Sequence, residues 1–134
     1  MNPNDAAVVR VFTRQGSGGV PDYTPNITNG SHSFQVVVEA EAGTVLGNSS
    51  QPYQLRIEAL DITAGDNPGT PFSKSVAQQF SSANGWPQKT EALTVTLSPA
   101  QIAARKDHIL KYYAVLLSAN DIISFAESPL FILT

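Results

Sequence analysis

Cysteine is absent from the chain, which removes disulfides, thiol catalysis and cysteine-based zinc sites together. Charge is scarce as well: Asp, Glu, Lys and Arg make up 14% of the 134 residues, against about 25% in a typical globular domain. The eight basic residues are scattered and the net charge is -3. Binding to nucleic acid through phosphates needs a clustered basic surface. Only "RKDHILK" comes near to one, and Asp107 sits inside it, so nucleic acid is not an expected partner. No apolar run approaches the roughly 18 residues of a membrane helix, so no membrane span is expected. The start, "MNPNDAAVVR", has no basic stretch followed by a long apolar one and does not read as a signal peptide. Histidine is limited to His32 and His108, and tryptophan to Trp86.

Ser, Thr, Asn and Gln fill the space left by charge. A neutral polar surface of this kind leans toward a secreted or surface-displayed protein, so an extracellular or cell-surface location is expected. The length fits one domain with one core over residues 1–134.

Several segments alternate with period two, the signature of half-buried strands. "YQLRIEALDI" turns Tyr53, Leu55, Ile57 and Ala59 inward and Gln54, Arg56 and Glu58 to water. "SFQVVVEAEA" does the same with Phe34, Val36, Val38 and Ala40 against Gln35, Glu39 and Glu41. "ALTVTL" sets Leu93, Val95 and Leu97 on one face. "AVVRVFTR" and "PLFILT" are shorter apolar strands, and polar "FSKSVAQQF" reads as an edge strand. "KYYAVLLSA" is assigned Tyr113, Val115, Leu117 and Ala119 on its inner face. Gly/Pro-rich connectors separate these segments, and "SANDIIS" reads as a tight connection before the last strand. "SPAQIAARKD" starts a short helix, with Ser98 as N-cap and Pro99 in the first turn, which crosses from one strand to the next over about residues 99–106. The expected fold is all-β: an antiparallel sandwich of about seven strands with one short helical crossover.

The C-terminal half, "ALTVTL", a corner, "KYYAVLLSAND" and then "ESPLFILT", resembles a fibronectin type III or related immunoglobulin-like domain. The resemblance places Leu97 at the end of strand E and the Tyr113, Val115, Leu117, Ala119 row on strand F. Pro129 then enters strand G, where an edge tolerates a missing N–H. It also implies that Tyr112 or Tyr113 is a corner tyrosine bonded back to the E–F backbone. The N-terminal half departs from that family in lacking a tryptophan on its second strand. Such sandwiches host adhesion, sugar binding, chaperoning and spacer roles, so fold does not carry function.

Candidate chemistry is sparse. A Ser-His-Asp hydrolase needs three converging groups. Asp107 adjoins His108, but neighbours on a strand point to opposite faces, and no "GxSxG" elbow is present. His108 and His32 therefore read as surface histidines. Glu39 and Glu41 share a wet face, where they keep the sheet soluble. "DITAGDNPG" offers Asp61, Asp66 and Asn67 as oxygen ligands for calcium, although Asp-Asn-Pro-Gly is itself a turn sequence. "RQGSGGV" lacks the Lys and the helix of a phosphate-binding loop. Tyr23 and Trp86 lie in Pro/Gly-flanked loops, where exposed rings stack on sugars or anchor partners. The competing position for Trp86 is folded back over the end of the sandwich. Sequons stand at Asn26, Asn29 and Asn48. The resulting expectation is a non-catalytic interaction or accessory module with a protein or glycan partner. The alternatives are a carbohydrate-binding module using Tyr23 and Trp86, and a small hydrolase working through His108 or the carboxylates.

Overall fold

The computed structural model describes residues 5–15, 33–118 and 121–133. Tyr23, His32, Asn26, Asn29 and the "GSGGV" loop lie outside the described residues. In chain order the elements are β1 (Ala6–Arg14), β2 (Ser33–Ala42), α1 (Thr44–Gly47), β3 (Pro52–Asp61), β4 (Lys74–Gln79), β5 (Gln88–Thr96), α2 (Pro99–Arg105), β6 (Ile109–Ser118), β7 (Asp121–Glu127) and β8 (Phe131–Ile132). They form an all-β antiparallel sandwich. A smaller sheet, β1-β2-β5, faces a larger one, β4-β3-β6-β7, with β8 also paired to β6.

The alternation read for β2, β3 and β5 is what fills the core. Phe34, Val36 and Val38 from β2 are fully buried, as are Leu55 and Ile57 from β3 and Val95 from β5. Each such side chain contributes about 1.5–3 kcal/mol of transfer free energy. β2 is buried on its other face too: Val37 sits opposite Phe12 in the β1–β2 register, and both are buried. The Arg10 guanidinium lies 4.3 Å above the Phe12 ring. β4 is the edge strand expected from its polar sequence.

Strand β6 corrects the sequence reading by one residue. Its inner row is Leu110, Tyr112, Ala114 and Leu116, all fully buried, while Tyr113, Val115 and Leu117 face outward. Both rows are apolar, so alternation alone does not choose between them. Lys111 does, because it shares a face with Tyr113 and cannot be buried unpaired. "DIISFAE" is also not a connection but strand β7, paired with β6 from Tyr113 to Ser118. β8 continues along the same side of β6, opposite Ile109 and Leu110. Eight strand segments thus fill seven positions. The break between β7 and β8 falls at Ser128-Pro129, since proline cannot donate to the ladder. Ser128 replaces the lost bonds: its N–H donates to the Tyr112 carbonyl at 2.8 Å, and its Oγ accepts from the Tyr112 N–H at 2.9 Å.

The helical crossover falls where expected. Ser98 and Gln101 form a reciprocal capping box around Pro99, which satisfies two donors that the first turn leaves open. The helix ends at Arg105, and Asp107, at φ 66°, turns the chain into β6.

Candidate functional site

The inner row of β3 ends in a charge. Asp61 shares the parity of Tyr53, Leu55, Ile57 and Ala59 and is 0% exposed. A buried carboxylate is costly unless paired and hydrogen-bonded, and Asp61 is both. Its Oδ1 accepts the Ala64 N–H at 2.9 Å. Its Oδ2 accepts from Arg105 Nη1 at 2.8 Å and lies 2.8 Å from His108 Nδ1. An ionised carboxylate only accepts, so Nδ1 carries the proton. Burial works to raise the Asp61 pKa, but the Ala64 N–H, Arg105 and His108 outweigh it and hold the group below the ordinary carboxylate value.

Arg105 reaches further, to Asp66, with Nη1 to Oδ1 at 2.6 Å and Nη2 to Oδ2 at 3.2 Å. This two-pronged bond holds the Asp66 carboxyl low, and the two carboxylates together push the guanidinium's pKa up. The backbones of Asp61 and Asp66 also exchange hydrogen bonds, at 2.8 and 3.2 Å. Since Arg105 closes α2, one side chain ties the loop after β3 to the crossover helix. His108, Ile109 and Leu133 extend the joint toward β8: Leu133 N–H donates to the His108 carbonyl at 3.2 Å, and Ile109 N–H to Thr63 Oγ1 at 2.9 Å.

The true carboxylate partner of His108 is thus Asp61, 47 residues away, and not its neighbour Asp107. An Asp–His pair is the orienting half of an acyl-transfer triad. Among the described residues no hydroxyl hydrogen-bonds the other ring nitrogen, and Arg105 already neutralises Asp61. What this arrangement does is join three segments at one end of the sandwich.

The residues proposed for calcium separate. Asp61 and Asp66 face each other across the Arg105 guanidinium, which occupies the place a cation would take. Asn67 instead turns its side chain to the Tyr113 hydroxyl. Among the described residues no group of three or more His, Asp or Glu is arranged to hold a metal ion.

Trp86 is a core residue, 2% exposed. Its ring packs against Phe80 with centroids 4.8 Å apart and against Tyr53 at 5.3 Å, closing the end of the sandwich opposite Asp61. Buried there, it presents no face on which a sugar can stack. The corner-tyrosine expectation is corrected too. The Tyr112 hydroxyl is buried with no hydrogen-bond partner among the described residues, and burial pushes its pKa up. Tyr113 donates outward to Glu58 Oε2 at 2.6 Å, and this bond, with partial burial, raises its pKa.

The one-residue shift of β6 has its main effect on the outer face of the larger sheet. One row there reads Arg56, Val115, Phe125 and the next Glu58, Tyr113, Glu127. Ile62, Ile109 and Ile132 make a third row near the C-terminal end of β3. Among the described residues, four of the seven exposed large hydrophobics belong to this face: Ile62, Ile109, Phe125 and Ile132, with Phe125 at 63% exposure. Its charges are mostly paired within the face, Lys111 with Glu127 at 3.1 Å and Glu58 with the Tyr113 hydroxyl. Arg56 is exposed and has no ion-pair partner among the described residues. Sequence reasoning missed this face because it assigned the Tyr113 row to the core. Lys111 was the signal that could have found it.

No protein-family model matches the chain, and no curated protein matches it by sequence. Its fold does recur in solved structures. One is a chain assigned as a β-galactosidase from Bacteroides fragilis, with TM-score 0.53 and 12% identity over 91% of this chain and 17% of that one. Another is a glycosyl hydrolase family 2 member from Bacteroides cellulosilyticus, with TM-score 0.52 and 10% identity over 96% of this chain and 15% of that one. At such identities the likeness concerns fold: a β-sandwich of this kind is a small part of much longer chains. Among the described residues, no helix is long and apolar enough to cross a membrane.

Proposed function

We propose that the chain is a non-catalytic accessory module of the immunoglobulin-like class, working by contact through the outer face of its larger sheet. The observation that carries this reading is the make-up of that face. Exposed apolar side chains lie beside the Lys111–Glu127 ion pair and a Glu58 held by the Tyr113 hydroxyl, with Arg56 the one cation of the face that has no ion-pair partner among the described residues. Burying such a face under a partner costs little uncompensated desolvation. The ionisable groups best suited to chemistry, Asp61 and His108, are committed to the joint with Arg105. The strand order also fits the immunoglobulin-like class: β1-β2-β5 stand as strands A, B and E, facing β4-β3-β6-β7 as C′, C, F and G. By its likeness to a share of glycosyl hydrolase chains, the module serves a glycan-processing protein outside the cell or at its surface.

A second reading, glycan binding, puts Phe125 in the place of the buried Trp86. That exposed ring is in register with Val115 and Arg56 on a sheet face whose opposite edge, across β3 and β4, carries a groove lined by Arg56, Gln54, Ser73 and Ser75. Titration with a panel of glycans, followed by amide chemical shifts, together with assays on chromogenic glycosides, separates the readings. The accessory-module reading expects neither shifts nor hydrolysis. Shifts confined to Arg56, Val115 and Phe125 favour the glycan platform. Hydrolysis that His108→Ala abolishes contradicts both.

A further inference from the structure

We propose that the outer face of the larger sheet packs against the same face of a second copy of this chain, with the strands of the two copies turned end for end. This inference rests on the contact-face reading above and names the partner. The argument comes from the order of charges on the face. Arg56 lies in one cross-strand row and Glu58 in the next, with Val115 and Tyr113 beside them in the same two rows. Rotation by half a turn about an axis across the strands, level with Ile57, exchanges the rows. Arg56 then stands opposite Glu58 of the second copy, and Val115 opposite Tyr113 of the second copy.

The contact occurs twice by symmetry, as in any isologous interface. It supplies Arg56, the cation of the face with no ion-pair partner among the described residues, with a carboxylate. Tyr113 occupies Glu58 Oε2, and the other carboxylate oxygen remains to accept the guanidinium. Among the described side chains, the four charges of the face, Arg56, Lys111, Glu58 and Glu127, sum to zero, so two copies meet without net repulsion from them. Val115, Tyr113 and Phe125 supply the apolar area in the two rows beside the axis, and the isoleucine row lies beyond them, opposite the Pro52 end of β3 in the second copy.

The size of the face sets the strength. The ten residues of β3, nine steps of about 3.4 Å, and four strands each about 4.8 Å wide give a patch of roughly 30 by 19 Å. That is about 570 Å² per copy, below the roughly 800 Å² of a standard interface. The dimer is therefore weak, with a dissociation constant in the micromolar range or above.

Sedimentation velocity on the full chain, from about 10 μM to about 1 mM, tests the proposal in the range where such a constant is measurable. The expected result is a monomer–dimer equilibrium that Arg56→Glu and Phe125→Asp each weaken at least about tenfold. In the charge-swapped double variant R56E/E58R, self-association returns to within about threefold of the parent, because the pair is restored with its signs exchanged. Arg56 and Phe125 are both exposed, and an unchanged thermal unfolding curve for R56E and for F125D confirms that the fold is intact, while the double variant, which loses the Tyr113 bond to Glu58, need only unfold in one cooperative step. A monomer at every concentration, or a dimer indifferent to R56E, overturns the proposal. A monomer whose Val115 and Phe125 amides shift with a glycan overturns the dimer and leaves the contact face standing. A monomer with no such shifts overturns the dimer alone, since the accessory-module reading expects no shifts with glycans.

Discussion

Arg105→Met isolates the charge of the corner joint while keeping most of the side chain's aliphatic stem. In the parent, Arg105 is 20% exposed on its side chain and bonds Asp61, which is fully buried. Removing one partner of a buried ion pair costs about 3–5 kcal/mol, because the other charge stays buried and uncompensated. Asp61 keeps the Ala64 N–H and His108, which places the cost at the lower end, about 3 kcal/mol. The second arm of Arg105 reaches Asp66, whose side chain is 52% exposed. Solvent screening makes that arm much the weaker of the two. For a chain of this length about 1 kcal/mol moves the midpoint by roughly 3–4 °C, so Arg105→Met lowers Tm by about 10 °C. Asp66→Asn lowers it by clearly less, because solvent screens that exposed arm. Thermal unfolding followed by circular dichroism, with urea titration at fixed temperature, measures both. If Arg105→Met costs no more than Asp66→Asn, the buried half of the joint does not stabilise the fold and the reasoning fails.

Three further outcomes follow from the same geometry. Asp61 and Asp66 are both held below the ordinary carboxylate value of 3.8. Their stabilisation is therefore fully present above that value and is lost as pH falls through their lowered native values. Urea unfolding across pH 2–7 shows this loss, and Asp61→Asn flattens it. Trp86→Ala opens a cavity among Tyr53 and Phe80 and costs about 3–5 kcal/mol. In the parent, emission from this single tryptophan is blue-shifted and unaffected by sugars or by acrylamide. Tyr112→Phe removes a buried hydroxyl with no partner among the described residues and leaves stability unchanged or improved, whereas Tyr113→Phe loses the bond to Glu58, worth about 0.5–1.5 kcal/mol. Equal losses at the two tyrosines would contradict the assignment of β6 faces.

The strands whose two faces differ in polarity were legible in the sequence. β3 alternates Leu55 and Ile57 with Gln54, Arg56 and Glu58, and its inner row is where the pattern puts it. β6 was legible as a strand but not in its orientation. Ile109, Tyr113, Val115 and Leu117 are as apolar as the row they oppose, and a one-residue slip exchanges core for surface. β7 escaped notice because "DIISF" is a short apolar run directly after a turn. The Asp61 site was half legible: extending the β3 alternation by one step puts a carboxylate in the core. That Arg105 and His108 compensate it was not, because those contacts span 44 and 47 residues and depend on how α2 folds back. Trp86 sits in a turn by sequence, and only the rings of Tyr53 and Phe80 explain its burial.

The most direct test of the central claim, that this protein works through the outer face of its larger sheet, is a dilution series followed by amide chemical shifts. The account predicts concentration-dependent shifts at Arg56, Glu58, Tyr113, Val115 and Phe125, with those at Asp61, Arg105 and His108 constant. Shifts confined to the Arg105 corner, or to the edge strand β4, would contradict it.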